Sequence, residues 1–541
     1  MIRFSSLISF FLFLGTLVSG WGQSVVINEI HYDPEPDNEP VEYIELYNAG
    51  ETTADLSGWY FSSGISYLFA EGSSLEPGEF LILAENVKEY DRKFGSIFVG
   101  GIKGFDQWSS GGLSNGGDDL VLRNADREIM DRVDYGVGFP WPTGSRGGDA
   151  ELEEPEGLSM ELLHPSLDND LGGSWRVAEK NSPGKINSVH TEPTAVPPHI
   201  RQVNHAPRAP GTGEAVTVTA RVTDDDGVAS VLLHYQQVKP GSYIDLEDEA
   251  YQTDWTDLPM NDAGEGGDEI AGDGVYTVVL PGDLQTHRYL MRYRITIEDA
   301  VGNSLRVPYP DDGQPNFAYF VFDGVIPWEG AANPGTTEKV TYSSELLESV
   351  PVYQLITKKQ SHLDSQSIPG ARGSSYGGSD YPWFGTLVYN GDVYDHVQYR
   401  ARGGVWRYAM GKNMWKFRFH AAHDFEPEDN YGEKYNSKWR RLNFSAIIQQ
   451  GNFQHRGEQG LFESVGFDLF RMAGVEGPRT HYVHFRIIEN SNETSIFGNQ
   501  YGTDFQGLYL AIEQMDGRLL ESQGLPDGNV YKMENGTGPR V

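Results

Sequence analysis

Four cations in the last third of the chain have the spacing to form one site. Arg400 and Arg402 lie two apart in Tyr399-Arg400-Ala401-Arg402-Gly403-Gly404, and Lys416 and Arg418 lie two apart in Lys412-Asn-Met-Trp-Lys416-Phe-Arg418-Phe419. Residues two apart on a strand share a face. Neighbouring strands would therefore carry all four cations on one side. Like charges repel, so such a face calls for an anion or nearby carboxylates. Phosphate is one candidate, and arginine forks suit it. The alternative is four solvated charges on an open sheet face.

A second candidate is acidic. The loop Asn261-Asp-Ala-Gly-Glu-Gly-Gly-Asp268-Glu-Ile-Ala-Gly-Asp273-Gly could bring Asp262, Glu265, Asp268 and Asp273 together if it wraps. Calcium takes roughly six to eight oxygen ligands at flexible spacing. The spacing does not follow an EF-hand, and Asp and Gly also serve simply to turn a chain.

Other patterns are weaker. Glu42 and Glu45 are three apart on a strand, so they point to opposite faces and make a poor acid/base pair. Gly373-Ser-Ser375-Tyr-Gly377 has the nucleophile-elbow spacing, but Gly and Pro flank it where a strand and a helix are required. His420 and His423, beside Asp424, could hold a metal or simply lie at the surface. There is no cysteine, which excludes disulfides, thiolate metal sites and thiol catalysis.

These residues need scaffolding, and composition says which kind. The chain has 541 residues, a formal charge of −37 and 12% aromatic residues. Most of the acid lies before about residue 337, and the remainder is nearly balanced. Nucleic-acid binding needs a basic face, so no nucleic-acid partner is expected. Rich in aromatics and turn residues and poor in long helical patterns, the chain reads as mostly β. Arg3, an apolar run from Phe10 to Val18 and the small residues Ser19, Gly20 and Gly22 read as a signal peptide over 1–22. The protein is therefore expected to be exported, secreted or at the cell surface. No integral membrane segment is expected after cleavage.

Three segments follow. Residues 24–187 show short strands at regular spacing, with turns such as Asn115-Gly-Gly between them. The segment resembles a lamin-tail domain. The resemblance rests on Asn28-Glu29-Ile30, Glu42-Tyr-Ile-Glu45-Leu-Tyr-Asn48, Asp55-Leu-Ser-Gly58-Trp59, Asn115-Gly-Gly-Asp118-Asp-Leu-Val-Leu and Ser182-Pro-Gly184-Lys-Ile-Asn187. It implies an immunoglobulin-like β-sandwich that binds or spaces in exported bacterial proteins. Residues 199–323 follow a proline-rich stretch. They alternate with period two, as in Ala215-Val-Thr-Val-Thr-Ala-Arg-Val222, and look like a second immunoglobulin or fibronectin-type sandwich. The stretches 191–198 and 324–339 lack alternation and are expected to be linkers open to proteolysis.

The third segment runs from 350 to 541. Asn390-Gly391 between Phe384–Tyr389 and Val393–Tyr399 signals a hairpin. Apolar residues at 462, 465, 469, 472 and 473 have helical spacing. Arg400-Ala-Arg402-Gly403, Lys412, Lys416-Phe-Arg-Phe, Gly507-Leu-Tyr509-Leu-Ala-Ile-Glu513 and Val530-Tyr531-Lys532 resemble the spore-coat kinase (CotH-like) family, an atypical α+β protein-kinase-like fold. The resemblance implies ATP with magnesium as cofactor. It makes Arg402, Lys412, Lys416 and Lys532 candidates for phosphate binding, with Glu513 as the carboxylate that holds a cation in place. The family's later acidic segment, where metal and catalytic carboxylates sit, has no counterpart here, so the chain is expected to end inside this domain. The fold class is thus two Ig-like sandwiches followed by a kinase-like domain. Two functions are open. One is ATP-dependent Ser/Thr phosphorylation of a protein substrate, with the sandwiches as presenters. The other is non-catalytic binding of surface or matrix partners.

Overall fold

The structure is a computed structural model that describes residues 25–34, 39–95, 102–144, 157–331, 335–366, 383–402, 412–447, 458–493 and 503–525. The expected signal peptide, the 373–377 loop and Lys532 lie outside the described residues.

The protein is mostly β, in three sheet assemblies. The first pairs a six-stranded sheet with a five-stranded one. Val25–His31 runs at the centre of the larger sheet, antiparallel to Tyr43–Asn48 on one side and Met160–Leu162 on the other. Its residues are buried on both faces. One face meets the opposing sheet in a core that includes Ile44, Leu46, Trp59, Leu120, Val133 and Trp175. The other face carries Glu29, opposite Glu45 and Glu161 in register. All three carboxylates are fully buried. The closing segment covers them: Ser182 Oγ donates to Glu161 and Gly184 N–H to Glu45. Glu45 is thus a structural residue that ties the domain's end to its first strands.

The second assembly is a three-stranded sheet facing a five-stranded one, around a core with Val218, Val231, Leu233, Ile295 and Ile297. The alternation at 215–222 forms the strand Val216–Thr223, buried at every second residue.

The third is a closed seven-stranded barrel. Its strands are, in barrel order, Val352–Ile356, Trp383–Tyr389, Asp392–Arg402, Met414–Arg418, Arg441–Ser445, Phe505–Glu513 and Thr480–Ile488. Asn390 and Gly391 both take positive φ and turn the hairpin that the sequence signals. Aromatic side chains fill the interior, among them Tyr353, Tyr399, Trp415, Phe417, Phe444, Phe485 and Tyr509.

The helix Glu458–Met472 forms where the apolar spacing places it, but with the opposite face inward. Phe467 packs on Leu510 and Ile512 at the barrel surface. Phe462 is 70% and Met472 83% exposed, and Val465 and Leu469 are exposed too. The periodicity marks an apolar stripe, and this stripe faces out.

The second sandwich and the barrel are not separate bodies joined by a linker. Val238, Tyr243, Leu290 and Phe320 of the sandwich share one buried cluster with Ile356, Val388 and Ile488 of the barrel. Arg292 and Asp395 form an ion pair across this seam, both fully buried. The start of the expected linker 324–339 is held in place: the rings of Trp328 and Phe505 pack at 4.8 Å, and Val325 N–H donates to Glu348. No helix among the described residues is long and apolar enough to cross a membrane.

Candidate functional site

The barrel strands Asp392–Arg402 and Met414–Arg418 are antiparallel neighbours, with Arg400 opposite Lys416 and Gln398 opposite Arg418. Tyr399, Trp415 and Phe417 fill the interior. By strand parity Arg400, Arg402, Lys416 and Arg418 therefore lie on the outer face. The next strand adds a fifth cation, Arg441 opposite Arg418. The sequence spacing thus reads the shared face correctly.

Two carboxylates that sequence reasoning missed attend this face. Asp516 follows the last barrel strand. Burial raises its pKa, and the charges of Arg441, Arg518 and Lys416 draw it back down. Glu463, on the outer helix, lies close enough to Arg402 to favour its charged form against burial. Both carboxylates reach the face by tertiary packing, so no local pattern marks them.

Lys412 stands apart from the row, at the start of its strand. Its Nζ donates to the Leu508 carbonyl at 2.5 Å and lies 4.0 Å from the centre of the Tyr509 ring. Gly507 makes room. Its φ is +109°, and a Cβ there would come within 3.2 Å of the ammonium. The residue's surface is only half-buried, yet these neighbours crowd its charged end, and burial draws the ammonium down to about 7. Lys412 and the Gly507-Leu-Tyr509 motif, 95 positions apart by number, thus meet at one spot.

Glu513 does not join the cations. Residues Tyr509 and Ala511 of its strand point into the barrel, and Glu513 shares their parity, whereas the basic row lies outside. Its carboxylate accepts from Arg479 N–H at 3.0 Å and Ser522 Oγ at 3.3 Å. The expected pairing of Glu513 with Arg402, Lys412 or Lys416 is therefore replaced by a cap on the chain around Arg479.

Asp262, Asp268 and Asp273 do converge, with ligand oxygens within 4.8 Å of one another. Asp262 also accepts from Gly272, Asp273 and Gly274 N–H, and Asp268 from Gly264 N–H. Three further carboxylates, Asp224, Asp226 and Asp299, gather at the other turn of the same sandwich. His423 Nε2 lies 2.6 Å from Asp312 of the second sandwich, across the seam, and His420 Nε2 lies 2.8 Å from the His396 carbonyl within the barrel.

Residues 400–539 match the family model described as CotH kinase protein. That stretch is thus similar to the CotH kinase family. Residues 21–137 match the model of the Lamin Tail Domain, an Ig-like β-sandwich. The CotH kinase match begins at Arg400, yet the barrel also takes in Val352–Ile356 and Trp383–Tyr389. Likewise the lamin-tail sheet extends past 137 to Met160–Leu162 and Trp175–Val177. No curated protein matches the chain. Among solved structures, the purple acid phosphatase PPD1 from yellow lupin (Lupinus luteus) seeds is similar over 67% of this chain and 47% of its own, at 9% identity and a TM-score of 0.18. The chain thus spans about half the length of that phosphatase.

Proposed function

We propose that the barrel unit binds ATP through the cations of the CotH kinase domain and serves Ser/Thr phosphorylation of a protein substrate outside the cell. The observation that carries the reading is the meeting of Lys412 with Gly507, Leu508 and Tyr509. A lysine ammonium held where a glycine clears the way is a donor that can meet phosphate oxygens. Arg400 and Lys416, side by side on neighbouring strands, and Arg402 beyond them supply further positive charge, and guanidinium forks suit phosphate. ATP would supply the transferable phosphoryl group. Magnesium is a poorer fit to the barrel, because among the described residues the two carboxylate trios whose oxygens converge within 4.8 Å both lie in the second sandwich. Export rests on the apolar run from Phe10 to Val18 that follows Arg3.

The two sandwiches are binding and presenting modules in this reading, and the Asp262, Asp268 and Asp273 cluster is a calcium site that rigidifies its loop. The deciding experiment is nucleotide titration of the full chain by calorimetry, with Lys412→Ala and Lys416→Ala beside it. Saturable binding that either substitution weakens by tenfold or more supports the site. Absence of nucleotide binding by the folded chain refutes the reading and leaves non-catalytic binding of surface partners.

A further inference from the structure

A cleft at the seam between the second sandwich and the barrel lies apart from the basic face. Its volume is about 530 Å³, within the ~300–1,000 Å³ range of ligand pockets. Phe320 and Phe322, whose rings stack at 5.7 Å, form an apolar wall with Val352 and Val388. The charged residues lining it are Glu348, Glu428 and Asp429, and among the described residues no lysine, arginine or histidine lines it. Glu428 accepts from the Tyr389 hydroxyl at 2.8 Å and from Asn390 Nδ2 at 3.3 Å, and Glu348 accepts from Val325 N–H at 2.9 Å. Neutral donors thus hold both carboxylates in place. Asp429 is spent on its own turn, accepting from Tyr431 and Glu433 N–H.

An independent observation comes from Gln354. It lines the same cleft, is 3% exposed, and its Nε2 has no acceptor. Buried amide donors are nearly always paired. Gln354 shares the outward parity of Ile356, which packs into the seam, so its side chain stands where the sandwich and the barrel part. An acidic cleft with an apolar wall and one waiting donor specifies its ligand: a cation on an aliphatic stem, with a carbonyl near the stem's root.

We propose that this cleft binds a lysine residue of a peptide. The four-carbon stem packs on Phe320, Phe322, Val352 and Val388, the ammonium lies among Glu348 and Glu428, and the peptide carbonyl accepts from Gln354 Nε2. The site stands whether or not the barrel binds nucleotide, since it uses none of the cations of that face.

The probe is Nα-acetyl-lysine methylamide, titrated into the full chain and followed by ligand-observed NMR. Nα-acetyl-norleucine methylamide tests the charge and n-pentylamine tests the carbonyl. Saturable binding of the lysine compound, at least tenfold stronger than that of norleucine, is expected. Glu428→Gln should weaken it tenfold or more. Glu51→Gln, at an exposed position of the first sandwich, should leave it unchanged despite the same loss of charge. Gln354→Leu should weaken the lysine compound and spare n-pentylamine. If Glu428→Gln disturbs the melting curve, Glu348→Gln replaces it. Three results would overturn the proposal: norleucine binding as well as lysine, Glu51→Gln costing as much as Glu428→Gln, or no binding of the lysine compound at all. Pentylamine binding as tightly as lysine would remove the peptide and leave a free amine as ligand.

Discussion

Replacing Arg292 by Met should destabilise the second sandwich and the barrel together. Arg292 Nε and Nη2 donate to the two oxygens of Asp395 at 2.7 and 2.9 Å, and Nη1 donates to the Ile244 carbonyl at 2.8 Å. Asp395 also accepts from Thr386 Oγ1, Asn316 Nδ2 and His396 N–H. Both charges are fully buried. Methionine keeps much of the stem's volume but leaves the carboxylate with no cation. Removing one partner of such a pair costs about 3–5 kcal/mol. At roughly 2–4 °C per kcal/mol for a unit of this size, the melting temperature should fall by roughly 6–20 °C.

The assay is a thermal melt of the full chain, with Trp fluorescence and circular dichroism followed together. The transition of the second sandwich and barrel should shift as one. The pH dependence provides a second check. Burial alone would raise the Asp395 pKa, and the Arg292 charge overcomes it, holding the carboxyl well below the usual carboxylate range. Without the arginine, burial loses its main opponent and the Asp395 pKa rises, with the bonds from Thr386, Asn316 and His396 N–H opposing it only in part. The variant's deficit should therefore already be present near pH 4, because the parent carboxyl is ionised there, and should grow further as pH rises towards the variant's raised pKa. Arg292→Met with Asp395→Leu should recover part of the loss, because no charge is then buried. A shift below about 1 kcal/mol, or a melt in which the barrel is untouched while the sandwich alone moves, would refute a shared seam.

Further outcomes follow from the other sites. In the first sandwich, burial first and then repulsion from Glu161 raise Glu29 from 4.5 to about 7. A raised carboxylate weakens the fold as pH rises from about 4.5 through about 7, by on the order of 3 kcal/mol. That domain should melt higher at pH 5 than at pH 8, and Glu29→Gln should flatten the difference; an equal slope in the variant would clear Glu29. If Lys412 meets phosphate, ATP affinity should fall as pH rises past about 7. Lys412→Arg, which stays charged, should remove that fall, and identical slopes in both proteins would take Lys412 out of the site. Millimolar calcium should raise the melting temperature of the full chain, and Asp268→Ala should abolish the rise. No shift with calcium would leave Asp262, Asp268 and Asp273 as turn residues.

What the sequence could and could not reveal divides along a physical line. Alternation tells which residues of a strand share a face, and it did so for Arg400 with Arg402 and Lys416 with Arg418. It tells which face is inner only if the other face is wet. The strand Phe505–Glu513 has no wet face over most of its length: Tyr509 and Ala511 fill the barrel, while Leu510 and Ile512 lie under Phe467 of the outer helix. Both parities are apolar, so the pattern cannot assign Glu513, and only barrel closure places it inside. The helix fails in the converse way. Its strongest apolar stripe, Phe462, Val465, Leu469 and Met472, is exposed, and Phe467 and Ser464 are among the residues that seat it on the barrel. Ser464 Oγ meets Thr480 Oγ1 at 3.1 Å. Hydrophobic spacing states what a helix could bury, and packing selects what it does bury. The carboxylates that attend the cations, Glu463 and Asp516, depend on that selection: one rides on this helix and the other follows this strand. The local half of the site is therefore legible as strand parity, and its electrostatic partners become visible only when the barrel and its outer helix are assembled.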